Sequence, residues 1–421
     1  MSTLRRRGWV VRAIPAVLRE EPQYRLLFLG QFLSIFGDRI TMLILPFAVL
    51  SLGGSVAGVA TVSVAQFLPF VILALPAGVW ADRWNRKWIV IASDTARLLC
   101  QALAAVLLLA RVATVTDLVA IAAVYGAADA FFSPAMTGLI PTTVAPRNIQ
   151  PANALRGATY SLGAIAGPVI GGVLIASTGP GGSFAFDAAT FLISVLCIIR
   201  LRPKTIAMLS TDDIAASIEP FLTGLKRGWT EVRTRTWVLG FLGGLSAYSI
   251  FVLPSIFVLG PVLMEQQYGG APSWALVTAG FGVGALIGDL VLLRWHPRFA
   301  IRVAAIALIG ASCQAAIIAS GFNVWTITGL EVLAGACVTG AFGLWETSLQ
   351  EHIPGEALSR VSSYDYLTST GSIPLGNILA GVLSTGLGVR FAMFGMGAAA
   401  ILAAVAVVTI PAVRRLPRKA S

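Results

Sequence analysis

Charge is the scarcest ingredient of this chain. Only 12% of its 421 residues are Asp, Glu, Lys or Arg, against about 25% in an ordinary soluble domain. Histidine is scarcer still. His296 and His352 are the only two, far apart in sequence, so no convergent histidine, serine or metal cluster supports a membrane-embedded enzyme. Four cysteines (Cys100, Cys197, Cys313, Cys337) are widely separated, each inside an apolar run. That pattern implies neither a disulfide framework nor metal-ligand spacing, and it suits thiols acting as small apolar side chains. No glycine-rich phosphate loop ending in lysine occurs, which disfavours an ATP-driven pump. No pore motif repeats, which speaks against a channel. No metal or cofactor is expected.

What fills the chain instead is apolar. Hydrophobic residues make up 57%, and mean hydropathy is +0.83. Apolar runs of spanning length recur from Leu26 to Ile410; roughly 20 residues at about 1.5 Å each cross the hydrocarbon of a bilayer. The chain therefore reads as an all-α polytopic membrane protein. Twelve spans are predicted, at 25–51, 55–80, 87–110, 115–136, 150–177, 183–200, 237–265, 273–294, 300–320, 325–349, 358–386 and 389–410. Most connections are a few residues long, so neighbouring helices run antiparallel. The exception, 201–236, is polar and divides the chain into six helices plus six. The predicted organisation is a surface segment 1–24, a first bundle 25–200, a linker 201–236, a second bundle 237–410 and a tail 411–421. Within the linker, Glu219 to Arg235 reads as a surface-lying amphipathic helix with Phe221, Leu222, Leu225 and Trp229 facing lipid.

The net charge of +11 is explained by topology rather than by nucleic acid, because the basic residues cluster between apolar runs without aromatic interleaving. With both termini inside, all but four of the 30 basic residues fall in or beside inner segments. The exceptions are Arg111 and Arg390 outside and Arg39 and Arg97 within spans. Basic residues favour the cytoplasmic side, so both termini are expected there, in a bacterial-type plasma membrane. Arg5, Arg6 and Arg7 begin a basic N-terminus, but Arg12 and Pro15 interrupt the stretch after it, and the first clean run is a full span; no cleaved signal peptide is expected.

The two halves echo one another. Gly167-Pro168-Val169-Ile170-Gly171-Gly172-Val173-Leu174 in the fifth span matches Gly376-Asn377-Ile378-Leu379-Ala380-Gly381-Val382-Leu383 in the eleventh. Each is fifth in its half, as a duplicated six-helix architecture requires.

Between the second and third spans lies Gly78-x-x-x-Asp82-Arg83-x-x-Arg86-Lys87. On this loop and the six-plus-six plan the chain resembles the major facilitator superfamily, whose signature loop has a glycine, an aspartate four residues on, and a basic cluster. Gly163-x-x-x-Gly167-Pro168-x-x-Gly171-Gly172 is similar to the motif that marks exporters in that family. Gly37-Asp38, Asp94-x-x-Arg97 and Ser133-Pro134-Ala135 resemble the branch containing macrolide-efflux proteins and the enterobactin exporter. The resemblance covers about residues 25–410. It implies two pseudo-symmetric bundles, alternating access and proton-coupled export of small molecules by a monomer. There is one departure. Many drug:proton antiporters of the superfamily carry an arginine in helix 4, where this chain has Asp129 and no arginine; Arg97 in helix 3 is the available substitute.

The resemblance also makes the loop a gate. Asp82 would face a helix N-terminus of the other half when the cytoplasmic side closes, with Arg83, Arg86 and Lys87 anchored to lipid phosphates or acids such as Asp94. Gly163, Gly167 and Gly171 form one stripe and Gly280, Gly284 and Gly288 another, each allowing close backbone approach. Because the family places helices 5 and 8 where the halves touch, the two stripes are expected to face each other as a sliding contact. Pro168 reads either as a tolerated membrane proline or as a bend that works the cavity.

Charges inside spans cost about 2.5–3.5 kcal/mol each on insertion scales and are seldom kept without use. Asp94 and Arg97 share a helix face and pair locally, more as a brace beside the signature loop than as a cargo site. Asp289 and Glu346 sit near inner ends and brace loops, and Asp187, near the outer end of helix 6, suits the helix dipole. That leaves Asp38, Asp129, Glu331 and Asp365 for a central cavity, with Arg39 beside Asp38. Asp38 is either the main proton-coupling or cargo-contacting acid, or a packing acid paired with a cation such as Arg39. A carboxylate in such a cavity can exchange a proton for a cationic or polar cargo. Tyr125, Phe251, Trp345 and Tyr364 are the aromatics expected to line it. The predicted function is secondary export of amphipathic small molecules such as drugs or antibiotics; the alternative is a dedicated exporter of one metabolite or siderophore.

Overall fold

Apolar runs this long can satisfy their backbone groups in lipid only as helices, and the computed structural model, which describes residues 15–203 and 229–418, is helical throughout the spans. Within it, the side chains at 75, 78, 79, 81–83, 355, 356, 359 and 360 fall outside the described set. The first four rods are α1 (Pro22–Ser51), α2 (Val56–Arg83), α3 (Arg86–Leu109) and α4 (Val115–Leu139). Next come α5 (149–178) and α6 (180–199), joined at Gly179, whose φ of +69° turns the chain. In the second half, α7 (Thr236–Gln267) and α8 (Ala271–Leu292) are followed by α9 (Ala300–Ala319), α10 (Val324–His352), α11 (355–387) and α12 (Val389–Thr409). Ten segments are long and apolar enough to span; one of them is the α5–α6 pair. α11 is not among them because a turn at 370–372 breaks it into Gly355–Ser369 and Ile373–Leu387, each 15 residues long. Among the described residues, the sum with α11 is twelve transmembrane rods.

Several rods outrun their predicted spans, α2 to Arg83, α4 to Leu139 and α10 to His352. Apolarity marks only the part of a helix inside hydrocarbon; the backbone carries on for another turn into the polar zone. The turn between α2 and α3 shrinks to Trp84 and Asn85, and Asn85 caps α3 by accepting from Lys87 N at 3.0 Å. Ser55, Thr114 and Asn323 cap α2, α4 and α10. Pro254 lacks an N–H, and α7 relaxes there into a π-helical stretch, Ser255–Leu259. The linker's expected amphipathic helix falls largely outside the described residues. Residues 229–234 are helical, and Trp229, expected against lipid, is 45% exposed and also touches the ring of Tyr364 at 5.8 Å.

Glycines set which rods touch. Gly163, Gly167 and Gly171 of α5 lie against Ile35, Arg39 and Ile40–Leu43 of α1. Gly280, Gly284 and Gly288 of α8 lie against Thr328, Val332 and Ala336 of α10. In the matching positions, Gly376 of α11 meets the backbone of Ile250 in α7, and Gly126 of α4 meets that of Gln66 in α2. Pairs 1–5 and 2–4 in one half are thus repeated as 7–11 and 8–10 in the other. The two stripes expected to face one another do not; each closes a pair within its own bundle. Lipid offers no hydrophobic drive between helices, so close backbone packing is spent where it holds a bundle together. α5 and α8 do meet, through other residues. A Cβ added at Gly172 would stand 2.6 Å from Ala275 Cβ, and one at Gly282 would stand 2.7 Å from the Ala164 carbonyl oxygen.

Twelve spans put both termini on one side. On the far side a single apolar core runs through both bundles, joining Ile40, Ile44 and Phe47 of α1 to Val262 and Leu263 of α7 and Trp274 of α8. On the terminus side the core divides in two. One part holds Leu27, Ile89, Met136 and Ile198 of the first bundle; the other holds Trp237, Phe241, Leu344 and Val361 of the second. Among the described residues, the bundles are therefore closed on the far side and parted on the terminus side.

Candidate functional site

Two polar sites lie between the rods. The first is wholly within the first bundle. Asp94, Arg97 and Gln101 fall three and four residues apart on α3 and so share a face. Arg97 is buried, and its Nη2 donates to Asp94 Oδ1 at 2.5 Å. Its Nη1 lies 3.2 Å from Asp129 Oδ1 on α4 and 3.6 Å from Asp38 Oδ2 on α1. The guanidinium plane is held between aromatic faces, 4.1 Å from the Phe132 centroid and 4.7 Å from that of Phe191. Tyr125 donates its hydroxyl proton to Asp38, and Ser194 donates to Asp94 Oδ2 at 2.7 Å. One guanidinium thus serves three carboxylates from three helices. Asp94 is fully buried, whereas the Asp38 and Asp129 side chains are 34% and 39% exposed. Two of the three acids are therefore partly exposed, and the third is not.

A fourth acid completes this cluster. Asp187, expected to serve the dipole of α6, is fully buried and accepts from Thr41 at 2.5 Å, Gln101 at 2.6 Å and Thr190 at 3.1 Å. α1 can come this close because residue 37 is glycine; a Cβ there would overlap the Asp187 carboxylate. The pattern Asp187, Thr190, Ser194 is a polar stripe at helical spacing in an otherwise apolar run, and it was the available signal for this role. The Asp94–Arg97 pair forms as expected, and it is part of this cluster.

The second site lies between the bundles, a cavity of about 400 Å³. α1 contributes Arg39 and Met42, α5 contributes Ala164 and Pro168, and α10 contributes Glu331. Tyr248, Phe257, Trp274, Phe281 and Phe342 supply an aromatic wall. Glu331 is buried; its Oε2 accepts from Gln314 Nε2 at 2.8 Å, while its Oε1 has no partner. Gln314 in turn accepts from the Tyr248 hydroxyl at 3.2 Å. Tyr248 and Gln314 were not among the expected site residues; a glutamine within an apolar span was the clue.

Other expected lining residues lie elsewhere. Trp345 is buried in the second bundle's core, stacked on Phe241 at 4.4 Å, and its Nε1 donates to Asp365 Oδ1 at 3.2 Å. Phe251 packs beneath the cavity among core residues. Tyr364 faces Trp229. None of these residues lines the cavity, whose α11 wall is supplied by Ser369, Thr370 and Ile373. In the signature turn, Arg86 donates to the Gly138 carbonyl at 3.1 Å, and Lys87 Nζ donates to the carbonyls of Ile199 and Leu201, both at 2.8 Å. Lys87 therefore caps the end of α6 rather than pairing with Asp94. The side chains of Gly78, Asp82 and Arg83 lie outside the described set.

These features, twelve rods in two repeated bundles around a central cavity, coincide with a family match. The model of the Major Facilitator Superfamily matches residues 27–370. The chain belongs to the Major Facilitator Superfamily. As a member it is a membrane transporter rather than an enzyme. The multidrug efflux pump Tap of Mycolicibacterium fortuitum is 29% identical over 400 residues, covering 90% of this chain and 93% of that protein. Macrolide efflux protein A of Streptococcus pyogenes is 23% identical over 398 residues, covering 93% and 96%. Among solved structures, a mutant of the peptide transporter POT superposes with a TM-score of 0.73 at 14% identity, covering 94% of this chain and 96% of that one. That likeness concerns the fold.

Proposed function

We propose that this transporter is a proton-coupled exporter of amphipathic small molecules, working by alternating access as a monomer in the plasma membrane with both termini cytoplasmic. The observation that carries the reading is the sharing of Arg97 among Asp38, Asp94 and Asp129. Three acids around one cation leave negative charge uncompensated in a place where each unpaired charge is costly. A proton is the natural counter-charge, and Asp38 and Asp129 stand where water can deliver one. Proton uptake at either acid removes a partner from Arg97 and shifts the guanidinium toward the remaining carboxylates. Because these acids lie on α1, α3 and α4, that shift changes how the helices of the first bundle pull on one another. Arg97 thereby takes the place of the helix-4 arginine found in many antiporters of the superfamily. Asp38, bonded to Tyr125 and within reach of Arg97, is the main coupling acid.

Export of drug-like cargo is supported by the efflux proteins among the relatives and by the aromatic cavity between the bundles. A proton moving down 100 mV yields about 2.3 kcal/mol, enough for a roughly 50-fold cargo gradient. The test is uptake into everted vesicles under an imposed pH gradient, with cationic dyes, macrolides and siderophores as cargo. Accumulation is expected to follow the gradient and to collapse with an uncoupler. Accumulation indifferent to the gradient would refute antiport, and uptake restricted to a single siderophore would refute the broad cargo range.

A further inference from the structure

The cavity between the bundles has two poles that nothing in the protein joins. On the second-bundle wall, Glu331 is 1% exposed, and one of its two carboxylate oxygens has no hydrogen-bond partner. A glutamate kept only for packing would have both oxygens satisfied, because an unpaired buried acceptor costs about 1–3 kcal/mol or more. On the first-bundle wall is Arg39, whose aliphatic stem lies on Gly163 and Gly167 of α5. Its guanidinium carbon is 6.0 Å from the centroid of Tyr160, a ring flanked at 5.6 Å by the guanidinium of Arg156. Among the described residues Arg39 makes no ion pair, although both it and Glu331 line the same cavity. Between the poles the walls are Met42, Phe257, Trp274, Phe281 and Phe342, which offer apolar and aromatic surface.

We infer that the cavity selects cargo carrying a cationic and an anionic group on one flat apolar body, the cation held by Glu331 and the anion by Arg39. This inference rests on the exporter reading of the cavity and narrows its cargo class. The apolar wall takes the body of the molecule by surface burial, which discriminates weakly between similar shapes. The poles discriminate strongly, because a cargo lacking one charge leaves a buried partner unpaired. They also belong to different bundles, Arg39 to α1 and Glu331 to α10. A two-charge cargo therefore ties the bundles together across the cavity, and its contacts improve as the terminus side closes. A ligand shifts a conformational equilibrium only through such a difference in affinity between states. A singly charged cargo holds one wall and gains less from closure.

The experiment is equilibrium binding, by fluorescence anisotropy, to the full-length protein in nanodiscs. Three dyes share one body. A free-acid rhodamine carries a cation and a carboxylate, its methyl ester carries only the cation, and fluorescein is anionic only. The free acid is expected to bind at least about tenfold more tightly than either of the others, a difference of about 1.4 kcal/mol. Arg39→Gln should cancel the preference over the ester, and Arg39→Lys should restore most of it. Glu331→Gln should cancel the preference over fluorescein. Unchanged thermal melting of each variant separates lost contacts from lost fold. Equal binding of free acid and ester by the wild-type protein overturns the inference, as does a preference that survives Arg39→Gln. Vesicle transport keeps the two readings apart. Gradient-driven uptake of the ester with no binding preference would leave the exporter standing and the two-charge cavity refuted. A clear binding preference with gradient-blind uptake would do the reverse.

Discussion

In α1 to α6, four acids and one arginine gather in one polar region, with the Arg97 guanidinium held between Phe132 and Phe191. In α7 to α12, the equivalent scaffold holds Glu331 with two uncharged companions, Gln314 and Tyr248, and opens it onto the cavity. The backbone pairings are the same in both bundles, and each pair is closed at glycines. What differs is whether the buried charges answer to each other or await a partner from outside. Under the proposed function, the duplicated fold assigns exchange of protons to one copy and recognition of cargo to the other, and both keep the same helix pairs.

Breaking the crowded cluster should have the largest effect. Arg97→Met leaves three carboxylates without their cation and is expected to destabilise the protein by about 3–5 kcal/mol, read as a large loss of thermal stability in detergent. The equivalent insult in the second bundle, Glu331→Gln, should leave melting almost unchanged. Equal losses would erase the distinction between the bundles. Next in size is Asp38→Asn, which keeps the shape but removes the proposed coupling acid. Gradient-driven accumulation should fall by roughly tenfold or more while cargo binding persists. Wild-type transport rate and pH dependence in this variant would remove Asp38 from the coupling role and favour its reading as a packing acid.

Smaller effects test the packing side of the comparison. Gly284→Ala drives a methyl into the backbone of Val332, which cannot move aside, and should cost about 1–3 kcal/mol. Gly171→Ala meets only ordinary contacts, the nearest atom being 3.5 Å away, and should stay within about 0.5 kcal/mol of wild type. Disulfide trapping offers a further check on which faces of α5 and α8 meet. Cysteines at 172 and 275 should crosslink readily, and those at 167 and 284 should not. The mildest change is expected from Asp82→Asn, which should slow export a few-fold without altering cargo affinity, as a residue of the gate would. Loss of binding would place Asp82 in the cargo site instead.

The number of spans and the division into halves were legible because apolar length answers directly to bilayer thickness. The Asp94–Arg97 pair was legible too, since three residues on one helix is a local distance. Its union with Asp38 and Asp129 was not, because that depends on which faces of α1, α3 and α4 turn inward. Asp187 shows the same limit. Its position near a helix start suggested a dipole partner, while its actual donors, Thr41 and Gln101, lie 146 and 86 residues away. The glycine stripes announced that some helix must come close but carried no address for it. Trp345 misled for a related reason, because an aromatic near a charged level fits a cavity wall and a core equally well in sequence.

Lys87 has one more consequence. By clasping the carbonyls of Ile199 and Leu201 it fastens the signature turn to the point where the chain leaves the first bundle. Nearby, Arg202 N donates to Gln23 Oε1 at 2.7 Å, and Arg86 holds the end of α4. The tether between the bundles therefore starts from the same stiff plate that carries the turn. A displacement of the chain at residues 201–203 is therefore passed to the turn without going through either polar site.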